Sequence, residues 1–202
     1  EMCIRDRFLQ GLIGASPVAF DIEVHGELAR YEIKALRLAA LKGFFTNMVT
    51  EQVSYVNAPL LAEERGLEVR MNADEDSDED RNVLTLRATL SDGKTVSVSG
   101  TLTGPKQIEK LVGINGYSIE VPLANHHLVM IYSDRPGVVA VYGAALGDAG
   151  VNIAGMQIAR DEEGGQALSV LTIDEPASDE LLAKLRDAIG ASELHEIDII
   201  ES

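Results

Sequence analysis

The stretch YSDRPGVVAVYGAALGDAGVNI, from Tyr132 to Ile153, decides how the second half of this sequence folds. An apolar run ends at Asp134-Arg135-Pro136-Gly137, small and apolar residues follow, and Gly150 closes the run before Asn152. That order reads as a strand, a turn, a helix and the opening of another strand. Glycine-rich turns between strand and helix often cradle phosphates, so a nucleotide has to be considered first. A dinucleotide fingerprint needs G-x-G-x-x-G at the turn and an acid about 20 residues later. Here the turn holds Gly137 alone, and the next glycines, Gly143 and Gly147, fall inside the helix, where close packing on the sheet is the expected reason for them. No G-x-x-x-x-G-K pattern occurs in the sequence. The nucleotide reading fails.

A smaller ligand fits the residue types better. Pro136 is expected in the first helical turn, where its fixed φ suits the helix and its missing N–H is not needed. The N–H groups near Gly137 and Val138, at a helix end carrying about half a positive charge, can receive a carboxylate. Asp134 can accept an ammonium. Asn152 offers both a donor and an acceptor, and is expected across the same end of the sheet. Together these describe a pocket for a free α-amino acid, with each charge-assisted bond contributing about 1.5–3 kcal/mol. A lone D-x-P-G is equally the mark of a helix cap, with Asn152 a turn residue.

Outward from this stretch, the last 80 or so residues alternate regularly. HHLVMIYS is a strand and PGVVAVYGAALGDAG a helix; VNIAGMQIAR and QALSVLTI are strands; SDELLAKLRDAIG is a helix capped by Ser178, and ELHEIDII a final strand. The order is βαββαβ, a ferredoxin-like unit. The preceding part is a different domain of mixed α/β character, so the class is α+β. VAFDIEVHGEL reads as a strand. Phe44, Phe45, Met48, Val49 and Val53 fall on one helical face. Pro59 opens a further helix that Gly66 caps. VLTLRATLSDGKTVSVSGTL reads as a hairpin with a tight primed turn at Asp92-Gly93, and GPKQIEKLVGINGYSIEVP as a helix, a turn at Asn115-Gly116 and a strand. The boundaries expected are 17–123 for the first domain and 124–202 for the second, with 8–16 the end of an upstream helix. Residues 1–7, EMCIRDR, match the translation of a transposase adapter used in sequencing libraries and are expected to be foreign to the protein. That would remove Cys3, the single cysteine.

Charge excludes several partners. Acids outnumber bases 33 to 17, giving a formal net charge of -16, a field that repels nucleic acid and anionic lipid. No apolar run approaches the roughly 18 residues of a membrane span. No nucleic-acid or membrane partner is expected, and a cytoplasmic location is. The acidic run DEDSDED, Asp74 to Asp80, lacks the glycine and terminal glutamate of a calcium loop and reads as a solvated loop. His25, His126, His127 and His195 show no metal-ligand spacing, so no metal is expected.

The βαββαβ order, with Tyr132-Ser133-Asp134-Arg135-Pro136-Gly137 and Ala149-Gly150-Val151-Asn152-Ile153, resembles the ACT domain, a regulatory module that binds amino acids, usually between two copies. HGELARYE, ALRLAALKGFF, VSYVNAPLLAEERG, VSVSGTLTGP and LVGINGY resemble the intervening domain of long-form D-3-phosphoglycerate dehydrogenase. The resemblance runs from about Val18 to the C-terminus. It implies the regulatory part of an enzyme that oxidises 3-phosphoglycerate with NAD, the first committed step of serine synthesis, with L-serine as feedback effector. Carried over by motif, Tyr132, Asp134 and Asn152 would hold serine, and the N–H groups near Gly137 and Val138 its carboxylate, with Pro136 and Ile153 completing the motif. The intervening domain implies a second, anion-binding effector site, for which Lys110 matches and Arg37, Lys42 and Lys106 are neighbours. Tyr117 and Pro122 stand where some members carry arginines. The catalytic residues and the NAD site would lie in upstream domains absent here, so this chain has no catalytic residues and no cofactor of its own, and self-association would run through the ACT domain. Two other readings stand: the regulatory part of an iron-sulfur L-serine dehydratase, and a free-standing amino-acid-binding module.

Overall fold

The computed structural model describes residues 3–13, 16–30, 33–46, 48–75, 82–104, 106 and 108–199, with the backbone alone at 3–5 and 7. The chain divides into two compact units, Glu1–Gly116 and Tyr117–Ser202. The division comes ahead of the 123/124 boundary read from the sequence, because strand 117–122 is grouped with the second unit.

In the first unit α1 (Cys3–Leu12) precedes β1 (Pro17–His25), a 3-10 turn at Glu27–Arg30, α2 (Ile33–Thr46) and α3 (Ala58–Glu64). Then come β2 (Glu68–Asp74), β3 (Val83–Leu90), β4 (Thr95–Thr103) and β5 (Ile108–Ile114). The strands lie in the order β2-β1-β3-β4-β5; β1 and β2 are parallel and the other neighbours antiparallel. Alternation on β1 turns Phe20, Ile22 and Val24 inward, all fully buried, each burial contributing about 1.5–3 kcal/mol. Phe20 stacks on Phe44 of α2 with ring centroids 4.5 Å apart, and Phe44 meets Phe45 edge-on at 5.3 Å.

Three sequence expectations change here. Helix α2 stops at Thr46, so Met48 and Val53 lie beyond it, and Met48 is exposed. Residues 108–114 are a strand and not a helix. Gln, Glu and Lys favour helix locally, but pairing sets Leu111 against Gly100 and Ile114 against Val98, burying both side chains; tertiary pairing outweighs propensity. At Asp92-Gly93 only the glycine has positive φ, and Leu90 N–H donates to the Lys94 carbonyl across a three-residue loop. The pair with positive φ at both positions is Asn115-Gly116. The comparison of Ile4 with Phe8, on which the foreign origin of residues 1–7 turns, falls outside the described side chains, as does most of the acidic run; Glu75 at its start pairs with Arg30 at 3.1 Å.

The second unit opens with β6 (Tyr117–Pro122), whose Ile119 and Val121 are buried and which runs against β8. It continues β7 (His126–Ser133), α4 (Val138–Asp148), β8 (Ile153–Arg160), β9 (Gln166–Ile173), α5 (Asp179–Ile189) and β10 (Glu193–Asp198). The last four strands form an antiparallel-paired sheet in the order β10-β7-β9-β8, the βαββαβ arrangement expected. Alternate residues of β7 (Leu128, Met130, Tyr132) meet Val138, Tyr142 and Leu146 of α4 and Leu181, Leu185 and Ile189 of α5 in one core. Gly143 and Gly147 do not pack on the sheet: a Cβ at either meets no atom within 4 Å. The inward stripe of α4 is Val138, Tyr142, Ala145 and Leu146, which leaves both glycines on the outer side. Among the described residues no helix is long and apolar enough to cross a membrane, and no three or more metal-ligating side chains cluster.

Candidate functional site

The turn after β7 leads into α4 one or two positions later than the sequence suggests. Gly137, at φ 93°, is the residue before α4, and no side chain caps the helix. Pro136 therefore stands ahead of the helix rather than in its first turn. A positive φ is open to glycine at little cost, and it points the chain so that α4 begins at Val138. The first N–H groups of a helix have no partner inside it. Without a capping side chain, this start is free to receive a carboxylate. Asp134 lies beside it, its backbone N–H donating to the Gly165 carbonyl at 2.9 Å and its carboxylate accepting from Arg160 Nη1 at 3.2 Å.

Asn152 is not at this end. In the ladder Ser133 faces Gln166 on β9 and Arg160 faces Ala167, whereas Ile153 and His126 both face Ile173. The sheet therefore has Asp134, Arg160 and Gln166 at one end, and Asn152, Asp174 and His126 at the other. The reason is the crossover. The 11 residues of α4 cover about 16 Å at 1.5 Å per residue, and they run back along the sheet, so β8 starts level with the start of β7. One chain thus keeps Asp134 and Asn152 apart by the length of β8, about 26 Å at 3.3 Å per residue. Asn152 Nδ2 donates instead to Asp174 Oδ2 at 2.8 Å.

Tyr132 is also corrected. Its side chain is 2% exposed within the core, and its hydroxyl shares a 2.7 Å hydrogen bond with Ser169 Oγ. Its hydroxyl is thus spent inside the core and does not reach the surface. Val138 is buried in the same core and Ile153 packs against it. Alternation with Leu128 and Met130 is the sequence signal for this inward placement. Sequence reasoning missed Arg160 and Asp174, because neither belongs to the D-x-P-G or G-x-N-I pattern.

The basic residues read as a second site are spread over separate elements. Arg37 and Lys42 are on α2, and Lys42 Nζ sits 4.7 Å from the Tyr55 ring centroid; Lys106 is an exposed turn residue, and Lys110 is on β5 opposite Thr101.

Edge and surface complete the picture. β8 is the last hydrogen-bonded strand of the sheet, with β9 as its ladder partner, and β6 runs against it without joining that ladder. On its α4-facing side Met156 is 48% and Ile158 39% exposed, and on α4 Val139 and Val141 are 43% and 36% exposed. Tyr142 of α4 donates to Met156 Sδ at 3.0 Å, fixing which side of β8 these residues share.

A family model described as the D-3-phosphoglycerate dehydrogenase intervening domain matches residues 8–115, and the ACT domain model matches residues 126–190. The chain belongs to the D-3-phosphoglycerate dehydrogenase family. It is 39% identical over 183 residues to the D-3-phosphoglycerate dehydrogenase of Mycobacterium tuberculosis (strain ATCC 25618 / H37Rv), covering 91% of this chain and 35% of that protein. The Mycobacterium leprae protein is 36% identical over the same shares. The Bacillus subtilis protein is 30% identical over 88% of this chain and 34% of its own length. The chain thus spans about a third of the length of the curated relatives it matches, and it carries the family's two regulatory-type domains. The dehydratase reading gives way to this family. The strand-to-helix turn of this chain does not fit a dinucleotide, since it holds Gly137 alone and Gly143 and Gly147 lie within α4.

Proposed function

We propose that this chain is the amino-acid-sensing part of a D-3-phosphoglycerate dehydrogenase and binds L-serine at a site shared by two ACT domains. One observation carries the proposal: Asp134 and Asn152 lie at opposite ends of an edge strand whose exposed side is apolar. A strand that pairs with its own copy about a two-fold axis runs antiparallel to it. Such pairing of β8 sets the start of one copy beside the end of the other. The partner's Asn152 then approaches Arg160, Asp134 and the uncapped start of α4, and the symmetry makes the site twice. Met156 and Ile158 are covered in the same step, as an apolar edge strand requires if it is not to aggregate.

In each site the serine ammonium meets Asp134, its carboxylate meets the N–H groups near Gly137 and Val138, and the partner's Asn152 closes the polar ring. Pro136 and Ile153 shape the two walls. Serine bound across the contact stabilises the paired arrangement, and any state that separates the copies loses serine by the same factor. For the longer protein, the activity is NAD-dependent oxidation of 3-phosphoglycerate, carried by domains outside this chain. The chain alone turns over no substrate.

Titration calorimetry of the folded 202-residue chain with L-serine tests the reading. Wild type should bind, and Asp134→Asn and Asn152→Ala should each weaken binding at least about tenfold, the loss of one charge-assisted contact. No heat at millimolar serine would contradict it.

A further inference from the structure

We propose that Arg160 is a built-in counter-ion of Asp134 which a ligand ammonium has to displace, so that it sets both the affinity and the charge requirement of the site. The inference rests on the reading of Asp134 as the ammonium acceptor and adds a residue that neither sequence motif contains. Arg160 is the last residue of β8 and faces Ala167, next to the Gln166 that faces Ser133. Pairing through β9 therefore holds it level with Asp134. It shares the side of β8 that carries Met156, in reach of α4, so its guanidinium lies on the side where the helix begins.

The contact is a single one, Nη1 to Oδ2 at 3.2 Å, with the two side chains 61% and 27% exposed. Asp134 is the less mobile partner, since its N–H is tied to Gly165. Arg160 is the one that can swing. Within the single chain both polar groups of the proposed site are thus already engaged, Asp134 by Arg160 and Asn152 by Asp174. Asn152 keeps an acceptor oxygen and a second N–H for use. Asp134 cannot take an ammonium beside a guanidinium without placing two positive charges against one another. An amino acid therefore binds by exchange of one cation for another, and a ligand without an ammonium has nothing to exchange.

The test compares Arg160→Gln and Arg160→Lys with wild type by calorimetric titration of the full chain with L-serine and with N-acetyl-L-serine, which lacks the ammonium. R160Q should bind L-serine about two- to five-fold more tightly, the range an exposed ion pair supplies. R160K should stay near wild type, and N-acetyl-L-serine should gain nothing from R160Q. Equal or weaker serine binding by R160Q overturns the inference, as does a matching gain for N-acetyl-L-serine. Asp134→Asn separates this failure from that of the underlying reading: if D134N loses serine while R160Q is unchanged, only the role of Arg160 falls. If D134N binds as wild type does, or if no chain binds serine, both fall.

Discussion

Helices α4 and α5 cover the same sheet and share one core, but their ends and outer faces differ. α5 starts at Ser178, whose hydroxyl accepts from the Leu181 N–H at 3.3 Å, with Asp179 and Glu180 in the first turn. It ends at Gly190 in the left-handed region, and Arg186 near its end donates to the Leu194 carbonyl. Its exposed face is polar. α4 starts at a glycine without a capping side chain, has no acid in its first turn and no base in its last, and leaves Val139 and Val141 in solvent. A helix dipole stabilised by the chain's own acids needs nothing more. One without them is better served by an anion from outside. The contrast adds support to the proposal that ligand and partner meet α4 and β8 rather than α5 and β10.

The inward faces should not show this difference. Leu146 on α4 and Leu185 on α5 are both fully buried. Leu146→Ala and Leu185→Ala should each cost about 2–5 kcal/mol in urea unfolding. A far smaller loss at Leu146 would break the view that α4 is finished on its inner side.

The end of the sheet away from Asp134 should respond to acid. His127 is fully buried, its Nε2 accepts the Ala124 N–H at 3.0 Å, and burial pushes its pKa down to about 4. The folded chain thus favours neutral imidazole. The stability this contributes is complete above the ordinary value of about 6.5, and it is lost as pH falls from there towards 4, on the order of 3 kcal/mol in all. Measured against His127→Gln by denaturation at several pH values, the wild-type advantage should shrink across that window. An unchanged difference would show that His127 is not held neutral.

Removing the cap of α5 sharpens the contrast further. Ser178→Ala should cost about 1 kcal/mol and leave serine affinity unchanged; a loss of affinity would mean that α5 also serves the site. The smallest effect on stability is expected at Ile158→Lys, within about 0.5 kcal/mol because the residue is exposed in the single chain. Sedimentation should nonetheless show that this variant no longer self-associates, since a charge on an edge strand blocks pairing.

Much of this was legible in the residues. Both helices of the second unit are bounded by punctuation that local chemistry enforces: Gly137 and Gly150 around α4, and Ser178 and Gly190 around α5. β5 was not legible as a strand, because the charged and amide side chains around Ile108 favour helix and the deciding contacts come from β4. For the site, the residue types at 134 and 152 could be read, but not their ends of the sheet, which depend on the return path of α4. Tyr132 was placed wrongly for a simpler reason. Its alternation with Leu128 and Met130 already pointed it into the core, while the motif drew attention to its hydroxyl.

The central claim, that one site takes Asp134 from one copy and Asn152 from the other, is tested most directly by mixing. Asp134→Asn and Asn152→Ala chains are each prepared, shown to bind serine poorly, then combined and allowed to exchange partners. In a mixed pair one site receives both intact residues and the other receives both substitutions. The account predicts that the mixture regains serine binding near wild-type affinity at up to about one site per mixed pair. A mixture that binds no better than its components, although exchange has taken place, would contradict it.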